Sequence, residues 1–404
     1  MRIHPDNIRT ALVLPGGGAR GAFQVGVLKA IAELLPRGCQ NPFPIISGTS
    51  AGAINSVVLA SKARHFHLAV TELEQVWGNF ESRRVFCDDI WTMLRSSLHW
   101  MSSIVLGGMI VGTPRSLLNN SPLRELISTN IRFSLIEKAI RDGYLHAVAV
   151  TAAGYDSARS TSFFQGASDT HEWTRKRRSG LRTMISIDHV MASVAVPMIF
   201  APVRIGDQYF GDGAMRQATP LSPAIHLGAD RILVVGIRDE TSDPTPDISV
   251  SQKSPSLAQI AGYMLDTLFM DGLYSDLERM TRINQLIDSV PDEYHGGALH
   301  QMRAVDTMVV LPSQDLREIA NKHRRAMPLT IRALLRGIGG KSSSENRLLS
   351  FLLFESPFTR ELIELGYHDA MTVRDELVQF ITGENVPRLV APPWVTYDLS
   401  RFDA

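Results

Sequence analysis

The sequence predicts an α/β fold with a mainly parallel central sheet flanked by helices, and three observations support this prediction. Strand-like and helix-like segments alternate over the first two-thirds of the chain, as they do in parallel-sheet proteins. Some strand-like segments are continuous apolar runs, such as residues 233–236, which is typical of strands buried on both faces. The hydrophobic content of 44% is ample for a packed core in a chain of 404 residues.

The first two-thirds of the chain contain most of the predicted elements. The predicted strands are residues 11–14, 44–47, 146–151, 160–164, 199–205 and 231–236. The predicted helices are residues 22–35 and 53–61. Each helix directly follows one of the first two strands, so this part of the chain has the repeating order of a parallel sheet.

The last third has a different pattern. Residues 237–255 are rich in Asp, Ser, Thr and Pro, and they predict a loop or linker. Apolar residues at helical spacing then predict a long helix over 256–287, and one more strand is predicted at 307–311. Residues 313–383 have a helical pattern with a polar break at 341–345.

A pentapeptide of the G-x-S-x-G type, residues 48–52, follows the second predicted strand and leads into a helix. In that setting the central serine lies on a sharp turn, with its side chain pushed out of the sheet. Gly48 and Gly52 make room for a strained backbone and for a close-approaching substrate. Ser50 is therefore the candidate nucleophile, and the adjacent Ala51 N–H is a candidate donor to a negatively charged oxygen.

The glycine-rich segment 16–21, GGGARG, follows the first predicted strand and opens a helix, and it allows two interpretations. It matches the dinucleotide fingerprint G-x-G-x-x-G, but that fingerprint also requires an acidic residue at the end of the second strand, where residues 47–50 have none. Alternatively, backbone N–H groups of Gly16, Gly17 and Gly18 at the start of the helix bind an oxyanion.

The segment 211–214, GDGA, follows a short predicted returning strand far downstream. An isolated Asp-Gly pair usually forms only a turn. A serine nucleophile also needs a base to accept its proton, and this segment contains a carboxyl group, Asp212. If Asp212 is buried near Ser50, desolvation should raise the pKa of its carboxyl group.

These three segments, in this order and each at a strand end, resemble the motifs of the patatin-like phospholipase family. The resemblance covers residues 7–230. It implies a three-layer fold with a helical C-terminal region, a Ser50–Asp212 dyad without histidine, and neither a cofactor nor a metal. The implied reaction is cleavage of fatty acyl esters of phospholipids or lysophospholipids through an acyl-serine intermediate.

The resemblance also assigns the motif residues. The oxyanion hole is expected at Gly16, Gly17, Gly18 and Ala51, and the other motif residues are Arg20, Gly21, Gly48, Gly52, Gly213 and Ala214. Three regions are expected: a catalytic core at 8–236, a linker with a long helix and a further strand packed on the core at 237–312, and a helical region at 313–404. The C-terminal helices are expected to carry fold information only, because they contain no catalytic motif.

Several alternatives stay open at this point. Arg20 is interpreted either as an exposed or carbonyl-bound residue of the first helical turn, or as a residue that shapes the loop or contacts phosphate. His189 and His226 are interpreted as structural rather than as members of a histidine triad. The alternative functions are a thioesterase or carboxylesterase for smaller acyl groups, and a non-catalytic lipid-binding protein of the same fold.

Composition limits the partners and the compartment. Lys plus Arg and Asp plus Glu number 41 each, so nothing in the charge balance indicates a nucleic-acid partner. Two cysteines are too few for a disulfide framework or a thiolate metal site. The first ten residues lack an apolar signal region, so a cytoplasmic location is expected.

Two further features relate to membranes. Residues 91–111 are mostly apolar but too interrupted to span a bilayer, and they are interpreted as core, as an active-site flap or as a peripheral membrane contact. The basic clusters 175–178 and 322–325 are interpreted as solvated faces or loops, or as contacts with an anionic membrane.

Overall fold

The computed structural model describes residues 8–87, 116–217, 219–238, 257–291, 303–337, 343–384, 387–393 and 395. The strands in these ranges are β1 (Thr10–Leu14), β2 (Ile45–Thr49), β3 (Ala147–Gly154), β4 (Ser160–Gly166), β5 (Trp173–Thr174), β6 (Arg178–Arg182), β7 (Val203–Ile205), β8 (Gln208–Asp212), β9 (Arg231–Val235), β10 (Asp306–Val310) and β11 (Leu389–Val390). They all belong to one central sheet.

The sheet has the order β11-β10-β9-β1-β2-β3-β4-β6-β5, and β8 pairs with both β3 and β7. All neighbouring pairs from β11 to β3 are parallel. The β3–β4 and β3–β8 pairs are antiparallel. The predicted α/β class with a mainly parallel sheet is therefore confirmed.

Helices cover both faces of the sheet. The helices in the described ranges are α1 (Gly21–Leu34), α2 (Ala51–Ser61), α3 (Phe66–Gly78), α4 (Ser121–Asn130), α5 (Ser134–Arg141), α6 (Ile187–Ser193), α7 (Ser222–His226), α8 (Leu257–Ser289), α9 (Leu316–Lys322), α10 (Leu329–Gly337), α11 (Ser343–Leu352), α12 (Ser356–Thr372) and α13 (Arg374–Thr382). Successive residues of β1 belong to two different apolar clusters, with Leu12 and Leu14 on one face and Ala11 and Val13 on the other. This alternation is the signature of a sheet between two helical layers.

The C-terminal helices pack tightly against the first helix of the chain. A Cβ added at Gly26 of α1 would lie 2.0 Å from the carbonyl oxygen of Ile363 in α12, and one at Gly366 would lie 2.2 Å from that of Phe23. Two glycines thus let the helix backbones approach closely. The predicted helical C-terminal region is confirmed.

Two sequence-based assignments need correction. The strand expected at 199–205 is formed only by Val203–Ile205, and residues 199–202 are irregular. The short strands β5, β6 and β11 were not predicted, because β5 and β11 have two residues each and β6 contains two arginines. The basic cluster 175–178 forms the turn between β5 and β6, where the Arg175 N–H donates to the Arg178 carbonyl at 2.8 Å.

The apolar segment 91–111 lies outside the described residues, so its three interpretations stay predictions. No described helix combines the length and the apolar character that crossing a bilayer requires.

Candidate active site

The sheet brings the ends of β2 and β8 to neighbouring positions on β3. β2 runs parallel to β3 and ends with Thr49 opposite Thr151. β8 runs antiparallel to β3 and ends with Asp212 opposite Ala152. The two strands therefore approach each other head to head, and Ser50, which follows Thr49, lies beside Asp212 although the two are far apart in sequence.

Ser50 occupies the strained turn that the G-x-S-x-G pattern predicts. Its backbone has φ 54° and ψ −125°, a conformation that residues with a side chain rarely adopt. A Cβ added at Gly52 would lie 2.0 Å from the Leu14 carbonyl oxygen, and one at Gly48 would lie 2.3 Å from the Gly52 carbonyl oxygen. The two glycines thus allow helix α2 to start directly against strands β1 and β2.

Ser193, at the end of helix α6, supports this turn. The Ser50 backbone N–H donates to Ser193 Oγ at 2.9 Å, and the Ser193 hydroxyl donates to the Thr151 carbonyl at 2.6 Å. Ser193 is fully buried. The sequence did not identify this residue, because a single serine in a helix of small residues belongs to no motif.

Asp212 is a buried carboxyl group with one oxygen available. Its Oδ1 accepts a hydrogen bond from the Ala214 N–H at 2.9 Å. Its Oδ2 has no hydrogen-bond partner of ordinary geometry in the described part of the chain. Burial raises the pKa of Asp212 to about 7, although hydrogen bonding to the Ser50 side chain and to the Ala214 N–H opposes this rise. The predicted direction of the pKa shift thus agrees with the structure.

The glycine loop lies against the serine turn. A short 3₁₀ turn, Gly18–Arg20, follows Gly16 and Gly17, and helix α1 then begins at Gly21. A Cβ added at Gly21 would lie 2.9 Å from the Cβ of Ala51, so the two motifs are in contact. Gly18, Ser50 and Ala51 line one cavity, which brings the backbone of the loop next to the candidate nucleophile.

Protein atoms pack closely against Gly17 and Gly18 where a side chain would project. A Cβ added at Gly17 would lie 2.1 Å from the Ile237 Cδ1 atom, and one at Gly18 would lie 2.3 Å from the Phe351 carbonyl oxygen. Gly18 also has a positive φ of 54°. Glycine is therefore required at position 18 by a backbone contact and a positive φ, whereas a side chain at position 17 would require the Ile237 side chain to move.

Arg20 is buried, so its interpretation as an exposed residue is wrong. Its side chain is 1% exposed. Its Nε and Nη2 atoms donate to Ser350 Oγ at 3.1 and 2.7 Å, and its guanidinium group lies 4.0 Å above the ring of Phe351. Asp266 of helix α8 is 3.7 Å from Nη2. Arg20 therefore attaches the glycine loop to the C-terminal helices.

Ser50 is only 3% exposed, and it borders an apolar cavity. The other lining residues are nearly all apolar: Ile54, Trp77, Phe80, Val85, Leu123, Val194, Val196, Ile199, Phe200, Leu265, Phe351, Leu352 and Phe354. Leu265 belongs to α8, and the last three residues belong to α11 or follow it. The C-terminal region, which contains no catalytic motif, thus forms one wall of this cavity.

The two histidines near the motifs have local structural contacts. His189 Nδ1 accepts from the Ser186 N–H at 3.0 Å and caps helix α6. His226 stacks on Trp173 with ring centroids 4.8 Å apart. Neither forms a hydrogen bond with Ser50 or Asp212 within the described ranges. No group of His, Cys, Asp or Glu residues suited to a metal ion occurs among the residues described.

The family model for patatin-like phospholipase matches residues 12–225, which span the glycine loop, the serine turn and Asp212. The chain belongs to the patatin-like phospholipase family. The resemblance drawn from the three motifs is thereby confirmed, while the roles of individual site residues stay predictions.

Individual patatin-like and related phospholipases are similar over parts of their length. Calcium-independent phospholipase A2-gamma of Rattus norvegicus is 21% identical over 307 residues, or 72% of this chain and 37% of that protein. The cGAMP-activated phospholipase of Escherichia coli (strain TW11681) is 26% identical over 260 residues, or 62% of this chain and 60% of that protein. The chain thus spans less than two-thirds of the length of these two relatives.

Solved structures of larger proteins also align with this chain. VipD from Legionella pneumophila has 12% sequence identity and a TM-score of 0.32, and the alignment covers 97% of this chain and 74% of VipD. The type III effector protein ExoU has 15% identity and a TM-score of 0.25, with 92% and 79% coverage.

Proposed function

We propose that this patatin-like protein is a serine lipid acyl hydrolase that cleaves fatty acyl esters of phospholipids or lysophospholipids. The observation that carries the proposal is the meeting of Ser50 and Asp212 at the end of β3, where burial raises the pKa of Asp212 to about 7. A carboxylate with that pKa can accept a serine proton near neutral pH.

The proposed reaction uses the residues as follows. Ser50 Oγ attacks the acyl carbonyl carbon while Asp212 Oδ2, which is otherwise unpaired in the described part of the chain, accepts the hydroxyl proton. The carbonyl oxygen becomes an oxyanion that backbone N–H groups of Gly17, Gly18 and Ala51 stabilise. Asp212 then gives the proton to the departing alcohol oxygen. In the second half of the reaction, water attacks the acyl carbon and Asp212 accepts its proton. Asp212 returns this proton to Ser50 Oγ as the fatty acid leaves.

The cavity beside Ser50 supports a lipid acyl group as substrate. Its lining is almost entirely apolar, and each buried methylene of a bound chain contributes about 0.8 kcal/mol. A thioesterase or carboxylesterase for smaller acyl groups is the alternative within enzymes, since the same dyad chemistry applies. The relatives named as phospholipases favour the lipid substrate.

A non-catalytic lipid-binding protein is the alternative from another class, and covalent labelling separates it from an enzyme. We expect a fluorophosphonate probe to label the wild-type protein and not the Ser50→Ala variant. Hydrolysis of phospholipids, lysophospholipids and acyl thioesters by the two proteins then identifies the substrate class. Ser56→Ala, at another buried serine of helix α2, serves as a control that retains the nucleophile and should be labelled as the wild type is. Absence of labelling in correctly folded wild type, or equal labelling of Ser50→Ala, would contradict the proposal.

A further inference from the structure

A second cleft, separate from the cavity at Ser50, is rich in arginine. It lies between the β5–β6 turn and helices α7 and α8. Its charged lining residues are Arg175, Arg178, Arg279, Arg303, His226 and Asp276. Four guanidinium groups thus face a cleft whose lining includes one carboxylate, and the proposed hydrolysis uses none of them.

Two of the four arginines are paired with carboxylates. Arg279 Nη1 is 3.7 Å from Asp276 Oδ1. Arg303 Nη1 is 3.2 Å from Asp230 Oδ1, and its Nη2 donates to a backbone carbonyl of helix α7. Asp230 does not line the cleft. These contacts hold both side chains at the cleft wall.

The other two arginines form no ion pair within 4.0 Å in the described ranges, although the charge of Arg178 acts on Asp276 and opposes the rise in its pKa that burial causes. Arg178 Nη1 donates to Thr219 Oγ1 at 2.8 Å, while its buried Nε has no hydrogen-bond partner there. The Arg175 side chain makes one weak hydrogen bond, to the Thr174 carbonyl at 3.4 Å. A buried guanidinium N–H without an acceptor is costly, and an anion in the cleft would supply one.

The electrostatics of His226 agree with this picture. Burial lowers the pKa of His226, and the positive charges of Arg175 and Arg178 lower it further. The charges of Arg175 and Arg178 are therefore felt at the position of the imidazole ring, inside the cleft. The His226 ring also stacks on Trp173, with ring centroids 4.8 Å apart.

We propose that this cleft binds a phosphate-bearing ligand through Arg175 and Arg178, with Arg279 and Arg303 at its edge. Guanidinium groups bind phosphate oxygens through two parallel hydrogen bonds, and the free Nε of Arg178 can contribute one of them. The phosphate belongs either to an anionic lipid headgroup or to a soluble phosphate compound. The proposal is independent of the hydrolytic function.

Two binding experiments test the proposal and distinguish the two sources. All proteins carry Ser50→Ala, so that lipid is not consumed. Soluble phosphate is tested by calorimetric titration with inorganic pyrophosphate. Lipid headgroups are tested by flotation with phosphatidylcholine vesicles that contain phosphatidic acid, against vesicles of phosphatidylcholine alone. Binding of pyrophosphate indicates a soluble phosphate compound. Binding to vesicles with phosphatidic acid, but not to pyrophosphate, indicates a lipid headgroup.

A charge-matched control separates the cleft from general electrostatic attraction. We expect R175A/R178A to weaken binding by about tenfold or more. R141A/R204A removes two exposed arginines elsewhere, each already next to a carboxylate, and should bind as the parent does. R175K/R178K retains the charge and loses the forked geometry of the guanidinium group. Its affinity should therefore lie between those of the parent and of R175A/R178A.

If R175A/R178A does not fold, as judged by its melting temperature, R175A/R279A replaces it. Failure of the parent protein to bind either probe would overturn the proposal. So would an equal loss of binding in R175A/R178A and R141A/R204A.

Discussion

At the scale of single residues, the conformation of Ser50 is maintained by its neighbours. A residue with a side chain in such a backbone conformation costs about 1–3 kcal/mol, and it persists only when its surroundings determine it. Here the surroundings are the close contact at Gly52 and the hydrogen bond from the Ser50 N–H to Ser193. Ser193 is thus a positioning residue in the proposed mechanism.

The first prediction concerns Ser193→Ala. Removing the hydroxyl leaves the Ser50 N–H without its acceptor, at a cost of about 1–3 kcal/mol. We expect kcat for ester hydrolysis to fall by about tenfold with little change in KM, because the turn is disturbed and the acyl cavity is not. Ser56→Ala is the control, since Ser56 is also buried, lies in helix α2, and has a hydroxyl without a partner among the described residues. Equal effects of the two substitutions on kcat would contradict a positioning role.

The second prediction concerns the pH dependence of activity. Only the ionised form of Asp212 can accept the serine proton, and its pKa is about 7. kcat/KM should therefore rise with pH through about 7 and then level off. Asp212→Asn should lose most activity at every pH. A histidine mechanism is supported instead if His189→Ala abolishes turnover while Asp212→Asn does not.

The sequence predicted the residues that belong to motifs and missed those that support them. Ser50 and Asp212 were identifiable because their glycine-flanked patterns follow strands. Ser193 was not, since its contact depends on where helix α6 meets β3. Arg20 was identified by its place in the glycine loop, but its burial depends on Ser350, which is remote in sequence.

At the scale of elements, the cavity at Ser50 needs more of the chain than the three motifs. One of its walls is formed by α8, by α11 and by the residues that follow α11. Phe354, which follows α11, packs against the rings of Phe80 and Phe86 and lines the cavity at Ser50. Periodicity predicted helices in this region, but it could not predict which faces meet the cavity. That information lies in contacts between elements distant in sequence.

The third prediction tests this wall with Phe354→Ala. The smaller side chain removes apolar surface that a long acyl chain would contact, which is worth about 1.5 kcal/mol or more. We expect kcat/KM for a long-chain p-nitrophenyl ester to fall by about tenfold relative to that for the acetate ester. Leu329→Ala, at a 73% exposed position on helix α10, should leave the ratio unchanged. A parallel loss on both esters would indicate that Phe354 serves packing only.

At the scale of the whole molecule, the fold buries a carboxyl group at the end of strand β8. Asp212 is 1% exposed and has no cationic partner among the groups that shift its pKa. Its folded-state pKa of about 7 lies above the value of about 3.9 expected in the unfolded chain. The folded state therefore binds this proton more tightly than the unfolded state, so the free energy of unfolding decreases as pH rises between these two values.

The last prediction follows from this linkage. Below about pH 4 both states are protonated at Asp212 and its effect on stability vanishes, whereas above about pH 7 the buried charge costs on the order of a few kcal/mol. Asp212→Asn removes the charge and retains the shape, so its melting temperature should exceed that of wild type at pH 8 by more than it does at pH 5. Asp207→Asn, at a fully exposed carboxylate, should show no such difference between the two pH values. An Asp212→Asn variant that is less stable than wild type at pH 8 would mean that the carboxylate is stabilised in the folded state. Asp212 would then be too weak a base for the proposed mechanism.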